Sequence, residues 1–370
     1  MDKHPLHVVV YTDSAGIGGA EISLGHLVAT ASEDIQFTIT GVSSVVVDAI
    51  ASRRSSARRV VLSDNPFSHL ATFYSLQPDI IHINLCTPWA CHAALAAALG
   101  LPYTRVIRVD QLPLRTTDAI ALWKTRFLSL RVDAHVAVGE ASCRRMEDFY
   151  ALGRNSVISI PNGVPDCGEV KEHSTDQSIT NKSIIVGSVG RLDAMKAHEI
   201  LLKAIAQVEQ TKVVILGEGD ERHYLEALAD KLSIRDRVHL PGWVEHPQSY
   251  LSTFDVVALP SRSEGFPLAM VEAMLAARPV VATRVGSIPE AILDGKTGLL
   301  IEKNDVDGLA IALQRLRDNP ALRIQLGQAA RDMALANFTV EAMTQRYERL
   351  WQDVMTRSRS SRLWVPRPRD

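Results

Sequence analysis

The stretch SRSEGFPLAMVEAMLAA (residues 261–277) follows the apolar run DVVALP (residues 255–260). Together they read as a buried parallel strand, a short loop and a helix. Pro267 suits the first helical position, where a proline forfeits no intrahelical hydrogen bond. No Ser, Thr, Asp or Asn stands immediately before it to cap the helix. The backbone N–H groups of Leu268 and Ala269 are therefore expected to face the loop, where an anion can use them. Met270, Val271, Met274 and Leu275 supply the inward face. Two carboxylates flank the helix start, Glu264 in the loop and Glu272 in the helix, with seven residues between them. A strand end, a helix N-terminus and two fixed carboxylates predict a site for a ligand carrying both phosphate and hydroxyl groups.

Upstream, the strand–turn–helix unit repeats. SIIVGSVG (183–190) reads as a strand, followed by Arg191-Leu192-Asp193-Ala194-Met195-Lys196 and a helix with Ile200, Leu201, Ala204, Ile205 and Val208 on one face. Two cations five apart at a strand end can converge on a pyrophosphate, the arginine as a planar fork and the lysine as a movable charge. The alternative is plain surface charge. KVVILGEG (212–219) is another strand with a glycine turn, followed by a helix to about residue 232, and VHLPGWV (238–244) is a strand. Downstream the pattern turns helical, over 310–317, 321–337 and 340–355.

The polar segment DCGEVKEHSTDQSITNK (166–182) is the expected linker to an earlier half. There, strands are expected over 6–11, 36–42, 60–62, 80–85, 104–109, 135–139 and 157–161, with helices such as 88–99 and 142–152 between them. This alternation predicts a parallel sheet covered on both faces. Gly16, Gly18 and Gly19 make a turn after the first strand, where backbone can approach a phosphate or sugar closely. Their spacing is not the dinucleotide fingerprint, and a simple tight turn is the other reading. His82 and His92 read as hydrogen-bonded structural histidines. The run RRSSARR (53–59) reads as a solvated face, with contact to an acidic acceptor or lipid as its alternative.

Taken together, GGAE (18–21), PDIIH (78–82), PNGV (161–164), GRL…K (190–196), GEG (217–219) and the E-x7-E from Glu264 to Glu272 resemble the retaining GT-B glycosyltransferases of family 4, in the family's order. The resemblance implies an α/β chain of GT-B architecture, with two Rossmann-like βαβ domains facing across a cleft. Residues 1–165 would bind the acceptor, 183–337 the nucleotide sugar, and a helix over 338–356 would return to the first domain. The implied activity is transfer of a hexose from a nucleotide-diphosphate sugar, a UDP-sugar before a GDP-sugar, to an acceptor hydroxyl with retention. The nucleotide sugar is a co-substrate, and neither cofactor nor metal is implied. Arg191 and Lys196 would hold the diphosphate, and the backbone around Gly265, Phe266, Pro267 and Leu268 would add dipolar stabilisation. Glu272 would bind the ribose hydroxyls, and Glu264 the sugar hydroxyls while orienting the anomeric carbon. Gly18 and Gly19 would lie against the donor phosphates, and Trp243 reads either as a contact to the base or as a core or surface tryptophan.

Two departures stand out. Ala197-His198 follows Lys196, where the family has glycine. No histidine ends the strand over 104–109, where the chain reads Arg108-Val109-Asp110. Asp110 is the preferred substitute as a catalytic residue, since a carboxylate accepts a hydrogen bond from an acceptor hydroxyl. A share for Arg108, a mere loop-capping role for Asp110 and a different mode of acceptor binding are the alternatives.

With 370 residues, 46% apolar and 22% charged, the chain can build two domains with sizeable cores. A net charge of −2 gives no global reason to expect nucleic acid or a strongly anionic membrane. Cys86, Cys91, Cys143 and Cys167 lack metal-site or disulfide-framework spacing and read as reduced thiols. There is no signal-peptide pattern and no apolar run of about 20 residues, so a soluble cytoplasmic protein is expected. The arginine-bearing tail 357–370 is expected to be disordered, with weak peripheral contact to the inner membrane face as the alternative. The acceptor stays open among a sugar, a natural product and a lipid-linked glycan. The rivals are a nucleotide-sugar epimerase, an inactive nucleotide-sugar binder, and an NAD-dependent oxidoreductase, which the glycine spacing opposes.

Overall fold

The computed structural model describes residues 5–112, 114–166, 168 and 183–357. Cys167, most of the expected linker and the tail beyond Arg357 lie outside the described residues. The chain divides into two units, Met1–Pro165 with Val340–Asp370, and Asp166–Thr339.

The first unit alternates strand and helix in chain order: β1 (Leu6–Thr12), α1 (Gly19–Thr30), β2 (Ile35–Gly41), α2 (Ser44–Ala51), β3 (Arg58–Val61), α3 (Pro66–Leu76), β4 (Ile80–Leu85), α4 (His92–Leu99), β5 (Arg105–Asp110), α5 (Ala119–Ser129), β6 (Ala134–Ala137), α6 (Glu140–Tyr150) and β7 (Val157–Ser159). The sheet is parallel, in the order β3-β2-β1-β4-β5-β6-β7. Val8 in β1 lies opposite Phe37 on one side and Ile80 on the other. Runs such as Val8-Val9-Val10 are buried because a parallel sheet is covered on both faces. One face packs Leu24, Leu27, Val47 and Ile50 of α1 and α2, and the other packs Phe73, Leu95 and Ala98 of α3 and α4.

The second unit follows with β8 (Ile184–Val189), α7 (His198–Gln207), β9 (Thr211–Leu216), α8 (Arg222–Lys231), β10 (Val238–Gly242), β11 (Val256–Leu259), α9 (Leu268–Leu275), β12 (Val280–Thr283), α10 (Ile288–Ala291), β13 (Leu299–Ile301), α11 (Val306–Asp318) and α12 (Pro320–Asn337). Its parallel sheet runs β10-β9-β8-β11-β12-β13. This is the Rossmann order, and it reverses direction between β8 and β11, the place where such sheets bind ligands beyond their strand ends. Gly187 in β8 makes room for Phe254, since a Cβ there would sit 2.0 Å from the ring. The last helix, α13 (Val340–Thr356), belongs to the first unit, and its Tyr347, Leu350, Trp351 and Val354 enter that core.

Two local expectations are corrected. Pro267 is the cap of α9, with extended backbone at φ −69° and ψ 130°, and the helix starts at Leu268. Arg54 is buried and donates to the carbonyls of Val28, Ala31, Ser32 and Ile35, so the basic run is not simply a solvated face. There the guanidinium satisfies carbonyls at the C-terminal end of α1 that lack helical partners. The helix α5 turns its largest apolar side chains outward.

Candidate functional site

The second unit's switch point gathers the charged residues. After β8, Asp193 Oδ1 accepts from the N–H groups of Met195 and Lys196, both at 3.0 Å, which folds the loop and directs Lys196. Ala197 then adopts φ 54°, the left-handed region that favours glycine, so the departure to alanine is accommodated with backbone strain. The turn after β9 presses on this loop. A Cβ on Gly217 would lie 2.0 Å from the Gly190 carbonyl oxygen, and one on Gly219 would lie 2.3 Å from that of Leu192. Leu192 N–H donates to the Glu218 carbonyl at 2.9 Å across the same contact.

The loop after β11 meets it from the other side. Lys196 Nζ donates to Glu264 Oε1 at 2.6 Å, and Ser261 Oγ donates to the same oxygen at 2.7 Å. Arg262 ties the two loops together. Its guanidinium reaches the Ala194 carbonyl at 2.6 Å and Asn304 Oδ1 at 2.8 Å, and it pairs with Glu199. Gly286 at φ 54° lets the loop after β12 pass beneath, because a Cβ there would stand 1.9 Å from the Glu264 carbonyl oxygen. The adjacent Ser287 N–H donates to the Gly265 carbonyl at 3.1 Å.

The start of α9 carries no side-chain cap. Its first N–H groups and the positive end of its dipole adjoin the Glu264 loop. Phe266 is buried against Phe338, with ring centroids 4.9 Å apart, which anchors the loop. Glu272 is buried in α9, and its Oε1 accepts from Gln248 Nε2 at 2.7 Å. Burial pushes its carboxyl pKa above the usual range, and the Gln248 hydrogen bond opposes that rise.

The structure thus brings Lys196, Glu264 and the Gly265–Leu268 turn together. Arg191 is 77% exposed and pairs with Asp193 Oδ2 at 3.0 Å, two residues along the same loop. Trp243 is 71% exposed after β10. In the first unit, Gly18 caps α1 and its N–H donates to Glu21 Oε2 at 2.9 Å, with Gly19 exposed beside it. The sequence reading missed Ser261, Arg262 and Gln248, none of which belongs to a motif.

Asp110 is a correction. Its carboxylate is buried at the end of β5 and receives Arg108 Nε at 2.7 Å and Nη2 at 3.0 Å. Tyr150 Oη donates to it at 3.3 Å. Arg108 also reaches Ser129 Oγ and the Pro88 carbonyl, so the pair is an internal brace and not a carboxylate open to an acceptor. His82 is buried against Tyr347, and burial pushes its pKa down to about 3. His92 Nε2 meets Thr125 Oγ1 at 2.9 Å. Among the described residues, no group of three or more His, Cys, Asp or Glu is arranged to hold a metal ion, and no helix is long and apolar enough to cross a membrane.

Comparison with known proteins agrees with the fold. The family model for glycosyl transferases group 1 matches residues 169–333. The D-inositol 3-phosphate glycosyltransferase of Corynebacterium diphtheriae is 37% identical over 182 residues, 46% of this chain and 42% of that one. The N-acetyl-alpha-D-glucosaminyl L-malate synthase of Bacillus anthracis is 26% identical over 300 residues, 77% of each chain. HepE of Anabaena, solved in complex with UDP-glucose, superposes with a TM-score of 0.82 at 19% identity, covering 94% of this chain and 100% of that one. In the first curated relatives the chain spans half of their length or less, 42% to 50%. Residues 169–333 are therefore a glycosyl transferases group 1 domain, in a chain with the two-sheet GT-B fold.

Proposed function

We propose that the chain is a glycosyltransferase that moves a hexosyl group from a UDP-sugar to an acceptor hydroxyl with retention of configuration. The observation that carries this reading is the Lys196–Glu264 pair, at 2.6 Å, held at the sheet's switch point beside an uncapped helix start. A diphosphate needs a cation and oriented N–H dipoles, and a sugar needs a fixed carboxylate. Both are supplied by adjacent loops. The relatives' names support transfer of a glycosyl group, and the UDP-glucose bound in HepE supports the donor class.

In this mechanism Lys196 leaves Glu264 for the diphosphate, with Arg191 swinging in from the surface. As the bond to the anomeric carbon breaks, negative charge grows on the leaving phosphate, and the two cations and the α9 N–H groups stabilise it most at that point. Glu264, released from Lys196, takes the sugar hydroxyls and fixes the anomeric carbon. Glu272 accepts from the ribose hydroxyls, and Trp243 contacts the base. The leaving phosphate assists removal of the acceptor's proton on the same face, so no protein nucleophile, cofactor or metal is required. Gly19 offers its backbone N–H to a phosphate or sugar, while the Gly18 N–H is held by Glu21 and shapes the turn. The acceptor is a sugar, a natural product or a lipid-linked glycan, and the reaction is cytoplasmic.

The test is a panel of UDP-, GDP- and dTDP-sugars, read by binding and by slow nucleotide release. Selective binding of one UDP-sugar, weakened in Lys196→Met and Glu272→Gln, is the expected result. Conversion of the sugar to its epimer, or wild-type binding by both variants, overturns the reading.

A further inference from the structure

We propose that the outer face of α5 in the first unit is a docking surface for an anionic lipid bilayer. The helix packs Leu128 against the core but turns its aromatic side chains outward. Its buried positions are Thr125 and Ser129, each 1% exposed, which hydrogen-bond His92 and Arg108. Its outward positions are Ile120 at 67%, Trp123 at 65%, Phe127 at 49% and, one residue past its end, Leu130 at 59% exposed. An ordinary surface helix has the reverse arrangement.

The spacing of these four residues puts them on one stripe about 80° wide. Lys124 and Arg131 flank the stripe on one side and Arg126 on the other, and all three are exposed. The only carboxylate on the helix is its cap, Asp118, whose Oδ1 is occupied by the N–H groups of Ile120 and Ala121. Trp123 stacks on Phe127 at 5.6 Å with 12° between the rings, and the Arg131 guanidinium sits 5.9 Å from the Phe127 ring. A preformed aromatic shelf bordered by cations therefore faces solvent. In the same helical layer, α3 exposes Phe67 and Tyr74, and Tyr103 is exposed just after α4.

Charge decides the occupant. A second copy joined through the same stripe would bring lysine and arginine against lysine and arginine. Anionic headgroups pair with those cations, while Trp123, Phe127, Ile120 and Leu130 enter the boundary between headgroups and acyl chains.

The experiment is vesicle flotation of the full chain with phosphatidylcholine alone and with equal phosphatidylcholine and phosphatidylglycerol. The wild type is expected to float with the anionic vesicles, and added salt to weaken it. The double variants Trp123→Ser/Phe127→Ser and Lys124→Glu/Arg131→Glu are each expected to lose at least about tenfold in partitioning. Their thermal melts should match the wild type, since the altered side chains are exposed. A blue shift in tryptophan fluorescence on adding anionic vesicles, lost in Trp123→Phe, is expected as well. Three results would overturn the proposal. One is no flotation with anionic vesicles at low salt. Another is wild-type flotation of Trp123→Ser/Phe127→Ser, which would assign the contact to the C-terminal arginines. The last is a self-association by ultracentrifugation that this variant abolishes, which would make the partner a second copy.

Discussion

Replacing Lys196 by methionine removes the charge at the switch point while keeping the side-chain stem, which lies over Gly190 with Cε 3.2 Å from where a Cβ would be. Two costs follow, and they separate. The ion pair with Glu264 is 2.6 Å long, with side-chain exposures of 22% and 9%. It stands between exposed pairs, worth about 0–1 kcal/mol, and fully buried ones, whose breakage costs about 3–5 kcal/mol. Ser261 Oγ still holds the carboxylate at 2.7 Å, so the expected loss of stability is only about 1–2 kcal/mol. For binding, the lost contact is a charge-assisted hydrogen bond to phosphate, worth about 2–3 kcal/mol, or roughly 30- to 150-fold in Kd. Calorimetric titration with UDP and with a UDP-sugar, beside thermal melts, measures both. Glu264→Gln should weaken the UDP-sugar far more than UDP, because its proposed partner is the sugar. UDP bound by Lys196→Met with wild-type affinity would refute the reasoning.

The remaining predictions concern the scaffold. Asp110→Asn leaves the buried Arg108 without its countercharge, so urea unfolding should show a loss of about 3–5 kcal/mol; a kcat defect at unchanged stability would instead point to catalysis. Gly187→Ala drives a methyl group into Phe254, 2.0 Å away, and should destabilise the second unit by about 1–3 kcal/mol or more, measured by thermal melting. Burial pushes His82 down to about 3 and, with other contributions, His26 and His135 to about 4 in the first unit, and His198 to about 3 in the second. Below the ordinary histidine pKa of 6.5 the unfolded chain takes up protons that the folded chain refuses, so stability falls with pH by up to about 1.4 kcal/mol per unit per histidine. Between pH 6 and 4, roughly, the first unit should therefore lose stability more steeply than the second, as read by hydrogen exchange in each.

The alternation of apolar runs with helical patterns made both sheets legible, because strands buried on two faces are largely apolar. Lys196, Glu264 and Glu272 were legible because each stands at a fixed offset from a strand end or helix start. Their partners were not. Lys196 meets Glu264 across 68 positions, and Glu272 meets Gln248 across 24, contacts that only the tertiary fold creates. Asp110 misled for a similar reason. A carboxylate at a strand end looks available until Arg108, two residues earlier, bends back onto it. The outward aromatic face of α5 was hidden because its periodicity is that of a core-facing helix, and no periodicity says which face is in.

The most direct test of the donor site is a crystal structure of the chain with UDP. The expected result is a phosphate oxygen within hydrogen-bonding distance of Lys196 Nζ, the diphosphate at the start of α9, and Glu264 parted from Lys196. UDP bound elsewhere, with the 2.6 Å Lys196–Glu264 pair intact, would contradict it.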